Sequence, residues 1–177
     1  MFSRNKVILL LVIAGLILRF IFVFLHPFPD SGNDAYQYDL IAMNIVNGNG
    51  ISTDINPPYA PQIDRVPFYP IFMSFFYFVF GHHLIVIRLV QAILSILTAF
   101  FMFLISKKII DEDSKLSALP IMSFVLTLLC PFLVFFVSIL FTETLTAFLI
   151  SLSILLFVYA IKLKSLLFYF YSGVIIG

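Results

Sequence analysis

Charge and cysteine are what this chain has least of. Asp, Glu, Lys and Arg together make up 11% of its 177 residues, against 62% hydrophobic. A soluble domain of this size has no interior large enough for so much apolar surface, so the bilayer must act as its solvent. The single cysteine, Cys130, excludes a disulfide framework and a cysteine-built metal site. There are three histidines, and His82 and His83 are adjacent. On a helix such neighbours point about 100° apart, which makes a poor ligand pair. With no metal-ligand cluster and no cofactor motif, metal-independent chemistry is expected, and a strong loss of activity on adding a chelator would count against it. A formal net charge of +1 gives no case for a nucleic-acid partner.

Long apolar runs are what the chain does have. A span needs about 20 such residues, and candidates lie at 7–25, 84–106, 116–134, 142–161 and from 165 to 177. The first follows Arg4 and Lys6, is too long for a signal-peptide core and lacks a small-x-small cleavage site, so it reads as an uncleaved signal anchor. A shorter run, 67–81, begins with Pro67 and Pro70, which suit a helix start. If 67–81 does not cross, Arg4, Lys6, Lys107, Lys108, Lys115, Lys162 and Lys164 all share the cytoplasmic side; if it crosses, the five later lysines move outside, against the positive-inside rule. The sequence therefore predicts an all-α, polytopic membrane helical bundle of about five spans. Its N-terminus is cytoplasmic and a long outer loop, 26–83, joins the first two spans. The last run stops at Gly177 short of a full crossing, which reads as the N-terminal part of a longer protein.

That loop concentrates polar chemistry. Residues 26–66 hold Asp30, Asp34, Asp39, Asp54 and Asp64, five of the nine acidic side chains. Tyr38, Ile41, Ala42 and Ile45 recur on one helical face, predicting a surface helix over about 35–46 that lies on the membrane. Asn47-Gly48-Asn49-Gly50 ends it with glycines free to take left-handed dihedrals. Asp34 reads as the N-cap with Gln37 completing a capping box, and equally as a rigidly held carboxylate that could activate an acceptor. Arg65 reads either as a lipid-snorkelling cation or as a fork for a ligand phosphate. Glu143 interrupts the apolar run 132–161 at the outer end of a span and reads either as a buried ionisable group in a default functional position or as a carboxylate that merely reaches interfacial water. Arg19, Arg88 and Gln91 fall near outer span ends, where snorkelling explains each arginine singly. Tyr36, Tyr38, Tyr59 and Tyr69 read as interface anchors, Asp39 as a solvated residue on the polar side of the surface helix, and Asp111-Glu112-Asp113 as a solvated cytoplasmic turn.

Taken in order, Asp34-Ala35-x-x-Tyr38, Ala42, Gly48-x-Gly50, Arg65-x-Pro67-x-Tyr69-Pro70, Arg88 and Thr142-Glu143-x-Leu145 resemble the N-terminal part of membrane glycosyltransferases of the GT-C fold. The likeness is to the protein-mannosyltransferase and lipopolysaccharide-sugar-transferase group, including the Rgt-type enzymes, and it extends over essentially all of 1–177. It implies a polyprenyl-phosphate sugar donor, transfer on the outer face of the plasma membrane, and a glycan, lipid or protein acceptor. Asp34 would match the general base, Arg65 and Arg88 the holders of the donor phosphate, and Glu143 the Thr-Glu-x-Leu glutamate near the site. Tyr38, Tyr69 and Pro67 would shape the loop. Ala35 stands where the protein-mannosyltransferase branch has a second acid, which favours the broader bacterial branch. The competing reading is a non-catalytic membrane scaffold or assembly module. A transporter is set aside because no span shows a mid-membrane charge or a broken-helix pair.

Overall fold

The structure, a computed structural model, describes residues 4–26, 34–62, 64–110 and 116–176. Among these residues it is all helical, with no strand. The helices are α1 (Arg4–Leu25), α2 (Asp34–Val46), α3 (Phe68–Phe80), α4 (Leu84–Ile109), α5 (Leu119–Leu128), α6 (Pro131–Phe135), α7 (Glu143–Leu163) and α8 (Leu166–Ile176), with a 3-10 turn at Phe136–Ser138 after α6. Helices α1, α4 and α7 are long and apolar enough to cross a membrane. This is a helical membrane protein.

The long helices are organised inside out relative to a soluble bundle. On α1, Leu10, Ile13, Ile17, Ile21 and Phe24 form an exposed stripe, while Gly15, Arg19 and Val23 are buried. The buried face of α4 carries Gln91, Ala92, Ser95, Thr98 and Ala99. Lipid is as apolar as leucine, so helices in a bilayer associate through small residues that allow close approach and polar residues that bond across. Gly15 is such a residue: a Cβ there would stand 2.5 Å from Leu128 Cδ1 and 3.1 Å from Ile96 Cδ1.

Contacts fix the direction of each helix. Arg19 bonds Ser95 and Arg88 bonds the His26 carbonyl, so a later residue of α1 meets an earlier one of α4 and the two are antiparallel. Ser106 meets Ser123, placing α5 antiparallel to α4. Lys108 lies over the Tyr159 ring, and Ile87 clusters with Leu145, so α7 runs parallel to α4. Ser153 donates to the Ser172 carbonyl in the α7–α8 hairpin. One rim of the bundle therefore collects the end of α1, all of α2 and α3, and the starts of α4 and α7. Lys107, Lys108, Lys162 and Lys164 lie at the opposite end. The acidic run 111–113 and Lys115 lie outside the described residues.

Two expectations change. The run 116–134 is not one straight span: α5 ends at Leu128 and the chain bends by 48° into α6 and the 3-10 turn. Pro131 has no N–H to donate and restricts Cys130 before it, so an unbroken helix is closed off there. Among the described residues three helices are span-length, giving up to four spans if the bent pair counts as one, and the run expected to stop short of a crossing forms the 11-residue α8. Finally, α2 does not rest its apolar face on lipid. Ala35, Tyr38 and Ala42 are covered by Tyr69, Met73 and Tyr77 of α3 and by Leu140 and Leu145.

Helix α3 takes the lipid-facing role instead. It has 13 residues, about 20 Å at 1.5 Å per residue, too short for a core of about 30 Å. Phe68, Ile71, Phe75 and Phe78 form an exposed stripe on one side, with Tyr69, Met73 and Tyr77 buried on the other.

Candidate functional site

The rim is built by a loop that returns to its own beginning. Gly48 and Gly50, at φ +79° and +81°, end α2 as the sequence predicts. Asn44 then ties the loop down, donating from Nδ2 to the carbonyls of Ser52 at 2.7 Å and Asp54 at 3.0 Å. The Asp54 carboxylate accepts from the Ala60 N–H at 2.7 Å. The loop so folded brings Arg65 back to the first turn of α2.

There Arg65 grips Asp34 with both arms: Nη2 donates to Oδ1 at 2.6 Å and Nη1 to Oδ2 at 3.2 Å. Its Nε donates to Gln37 Oε1 at 2.9 Å. The two residues that read as a capping box are thus joined through one guanidinium from 28 and 31 positions away. The pair remains partly open, with side chains 26% (Arg65) and 49% (Asp34) exposed.

Beneath it is an aromatic floor. The Arg65 guanidinium lies 5.9 Å from the Tyr38 ring centre. Tyr38 meets Tyr69 edge-on, with centroids 5.2 Å apart. Both rings are core residues, not the interface anchors their type suggested. The Tyr69 hydroxyl donates to Gln91 Oε1 in a short bond. Gln91, fully buried, donates in turn to the carbonyls of Phe136 and Ile139, at 3.0 and 2.8 Å. It thereby fixes the segment that leads into Glu143. Sequence reasoning placed Gln91 at this face without giving it this work, which depends on the α5–α6 bend.

Glu143 opens α7 on the same rim and is exposed, which fits the reading of a carboxylate that reaches interfacial water. Burial is the main reason the Tyr38 hydroxyl titrates above its ordinary range. Arg65 opposes that shift, whereas the charges of Asp34 and Glu143 reinforce it. Tyr69 is pushed well up, first by burial and then by Glu143 and Tyr38. Asp34, Arg65, Tyr38 and Tyr69 therefore form one contact cluster, with Glu143 near enough to act electrostatically on both tyrosines. Beside it, Val66, Phe68, Thr146, Leu149, Ile150, Val174 and Ile175 line an apolar groove of about 650 Å³. Val66 follows Arg65 in sequence and Thr146 lies three residues after Glu143, while the groove itself is lined by apolar side chains and Thr146.

Arg88 does not join them. Its Nη1 donates to the carbonyls of His26 at 3.1 Å and Val23 at 3.4 Å. A cation there suits the negative end of α1 and its open carbonyls. Arg19 acts alike at the α5 break, donating to the Leu128 carbonyl at 3.1 Å and to Ser95 Oγ at 2.9 Å. Both arginines are buried at helix ends, so neither snorkels.

A second cluster was missed. Asp39, expected in solvent, is 7% exposed, and its Oδ1 accepts from the Tyr77 hydroxyl at 2.6 Å and lies 2.8 Å from His82 Nε2. The helical period carried the signal, since Asp39 follows Tyr38 and borders the face shared with α3. Burial, then the bond to Asp39, raises the Tyr77 hydroxyl's pKa. Among the described residues no group of three or more His, Cys, Asp or Glu side chains could hold a metal.

Comparison with known proteins gives no match: no family model fits the chain, and no curated protein or solved structure is significantly similar to it.

Proposed function

We propose that this chain forms part of a membrane glycosyltransferase that moves a sugar from a polyprenyl-phosphate donor to an acceptor hydroxyl. Transfer takes place at the extracytoplasmic rim of a plasma membrane, with the N-terminus in the cytoplasm. The observation that carries the reading is the Asp34–Arg65 pair at one end of a helical bundle, on the rim where Glu143 also opens α7, with an apolar groove at Val66 and Thr146. Its volume is that of a small-molecule site. A lipid-phosphate sugar needs such a boundary, with hydrocarbon for the tail, a cation for the phosphate and a carboxylate for the incoming hydroxyl.

The donor is already activated, so the protein's work is positioning, proton removal and stabilisation of the leaving group. The acceptor oxygen attacks the anomeric carbon and its proton passes to Asp34. The bond from that carbon to the phosphate oxygen breaks, and its electron pair leaves with the polyprenyl phosphate, held by Arg65. One displacement inverts the sugar carbon. Glu143 orients the acceptor from the other side, and Tyr38 and Tyr69 form the floor. Arg88 is a positioning residue at the end of α1.

A non-catalytic scaffold is the second reading, favoured by the closed Asp34–Arg65 pair, which an architectural role would explain by itself. Asp34→Asn separates the two. Removing a general base costs about 10²–10⁴ in rate, so sugar transfer to acceptor should fall by that factor with membrane insertion unchanged. Unchanged turnover, or no turnover in the unaltered protein, would favour the scaffold.

A further inference from the structure

Asp34 and Arg65 are the two groups the proposed reaction needs apart, yet they hold each other. Arg65 directs Nη1 and Nη2 to Asp34 and Nε to Gln37. A phosphate monoanion or dianion docks on a guanidinium through the same paired N–H edge that a carboxylate uses. Both cannot take that edge together. The carboxylate is also tied up: each of its oxygens accepts from the arginine, and the bond to Oδ1 is 2.6 Å.

We propose that Asp34 is a built-in competitor for the anion site at Arg65, so that arrival of a lipid phosphate frees the carboxylate for its work as base. The inference rests on the glycosyltransferase reading in taking a lipid phosphate as the anion. Its core, one guanidinium shared by an internal carboxylate and an external phosphate, is a statement about binding alone. The pair is suited to exchange. It is part-exposed, and the next residue, Val66, lines the apolar groove, which gives a lipid chain Val66, Phe68 and Leu149 to lie on. A buried pair would resist opening, whereas an exposed one costs little to part. Tyr38 stays beneath the guanidinium, and Gln37 retains Nε, so Arg65 keeps its place when Asp34 lets go. Coupled this way, the base stays occupied until the donor is bound, and the order of events is donor first, acceptor second.

The competitor predicts an inverted mutational effect. In nanodiscs of neutral lipid, the unaltered protein should bind farnesyl phosphate and not farnesol. Asp34→Asn should bind farnesyl phosphate more tightly, by about two- to fivefold, the strength of a part-exposed pair. Arg65→Gln should abolish binding, and adding Asp34→Asn to it should restore nothing. A second readout needs no stability comparison: phenylglyoxal should modify Arg65 faster in Asp34→Asn, and farnesyl phosphate should protect Arg65 in both proteins. Arg65-dependent binding that Asp34→Asn leaves unchanged or weakens would overturn the competitor while sparing the role of Arg65. Absence of Arg65-dependent binding in every variant would overturn both. Tighter binding in Asp34→Asn, with no sugar transfer by the unaltered protein, would uphold the competitor and sink the transferase reading.

Discussion

Arginine has three different fates in this chain, decided by what each guanidinium meets. Arg65 meets a carboxylate at the rim, Arg19 the open carbonyl at the end of α5, and Arg88 the end of α1. Arg19 is fully buried, so its removal leaves the Leu128 carbonyl and Ser95 without their donor. Each such loss costs about 1–3 kcal/mol. Arg19→Leu should therefore lower the melting temperature in detergent markedly, and an unchanged melt would show that the α5 end is held by other means. The tyrosines make a pH prediction. Tyr38, Tyr69 and Tyr77 are all raised above the ordinary value of 10.0, so the folded state holds their protons more tightly than the unfolded chain. Their stabilising effect is complete below pH 10 and is lost as pH rises towards the folded-state values. A melting temperature flat from pH 8 to 9.5 and falling above 10, with tyrosinate absorbance appearing alongside unfolding, is the expected result.

Helices in this bundle end or bend where a backbone rule is imposed and a side chain repairs the damage. Pro131 ends α5, and the carbonyls left open there and after α6 are met by Arg19, Ser95 and Gln91. Gln91→Leu should loosen the approach to Glu143, and on the proposed function it should cut transfer more than it cuts thermal stability. Close approach makes the complementary test. Gly15→Leu should destabilise the α1–α4–α5 contact by about 1–3 kcal/mol, the cost of overpacking. Leu128→Ala added to it should recover part of the loss, because Leu128 is the nearest atom group to the added carbon.

At the scale of the whole molecule, sidedness carries the argument. With Cys130→Ser as background, Ile55→Cys and His83→Cys should be labelled by an impermeant thiol reagent from one face, and Lys162→Cys from the other. Labelling of positions 55 and 83 from opposite faces would make α3 a crossing helix and separate Asp34 from Glu143. The apolar runs, the three long helices and the glycine stop after α2 were legible in the sequence because composition and period act locally. The buried Asp39 and the partners of Arg19 and Arg88 were not. Each depends on residues tens of positions away.

The sequence by itself determined that this protein is helical and lives in a membrane, because no other solvent accepts so much apolar surface with every backbone group bonded inside its own helix. It also determined where polar chemistry gathers, since charges excluded from hydrocarbon have only the span ends and the outer loop to occupy. The tertiary structure alone decided which charges meet. Arg65 reaches Asp34 because the loop between them closes on Asn44 and Asp54, and the break at Pro131 gave Arg19 and Gln91 carbonyls to satisfy. Pairing of that kind follows from packing in three dimensions, which no local pattern of residues encodes.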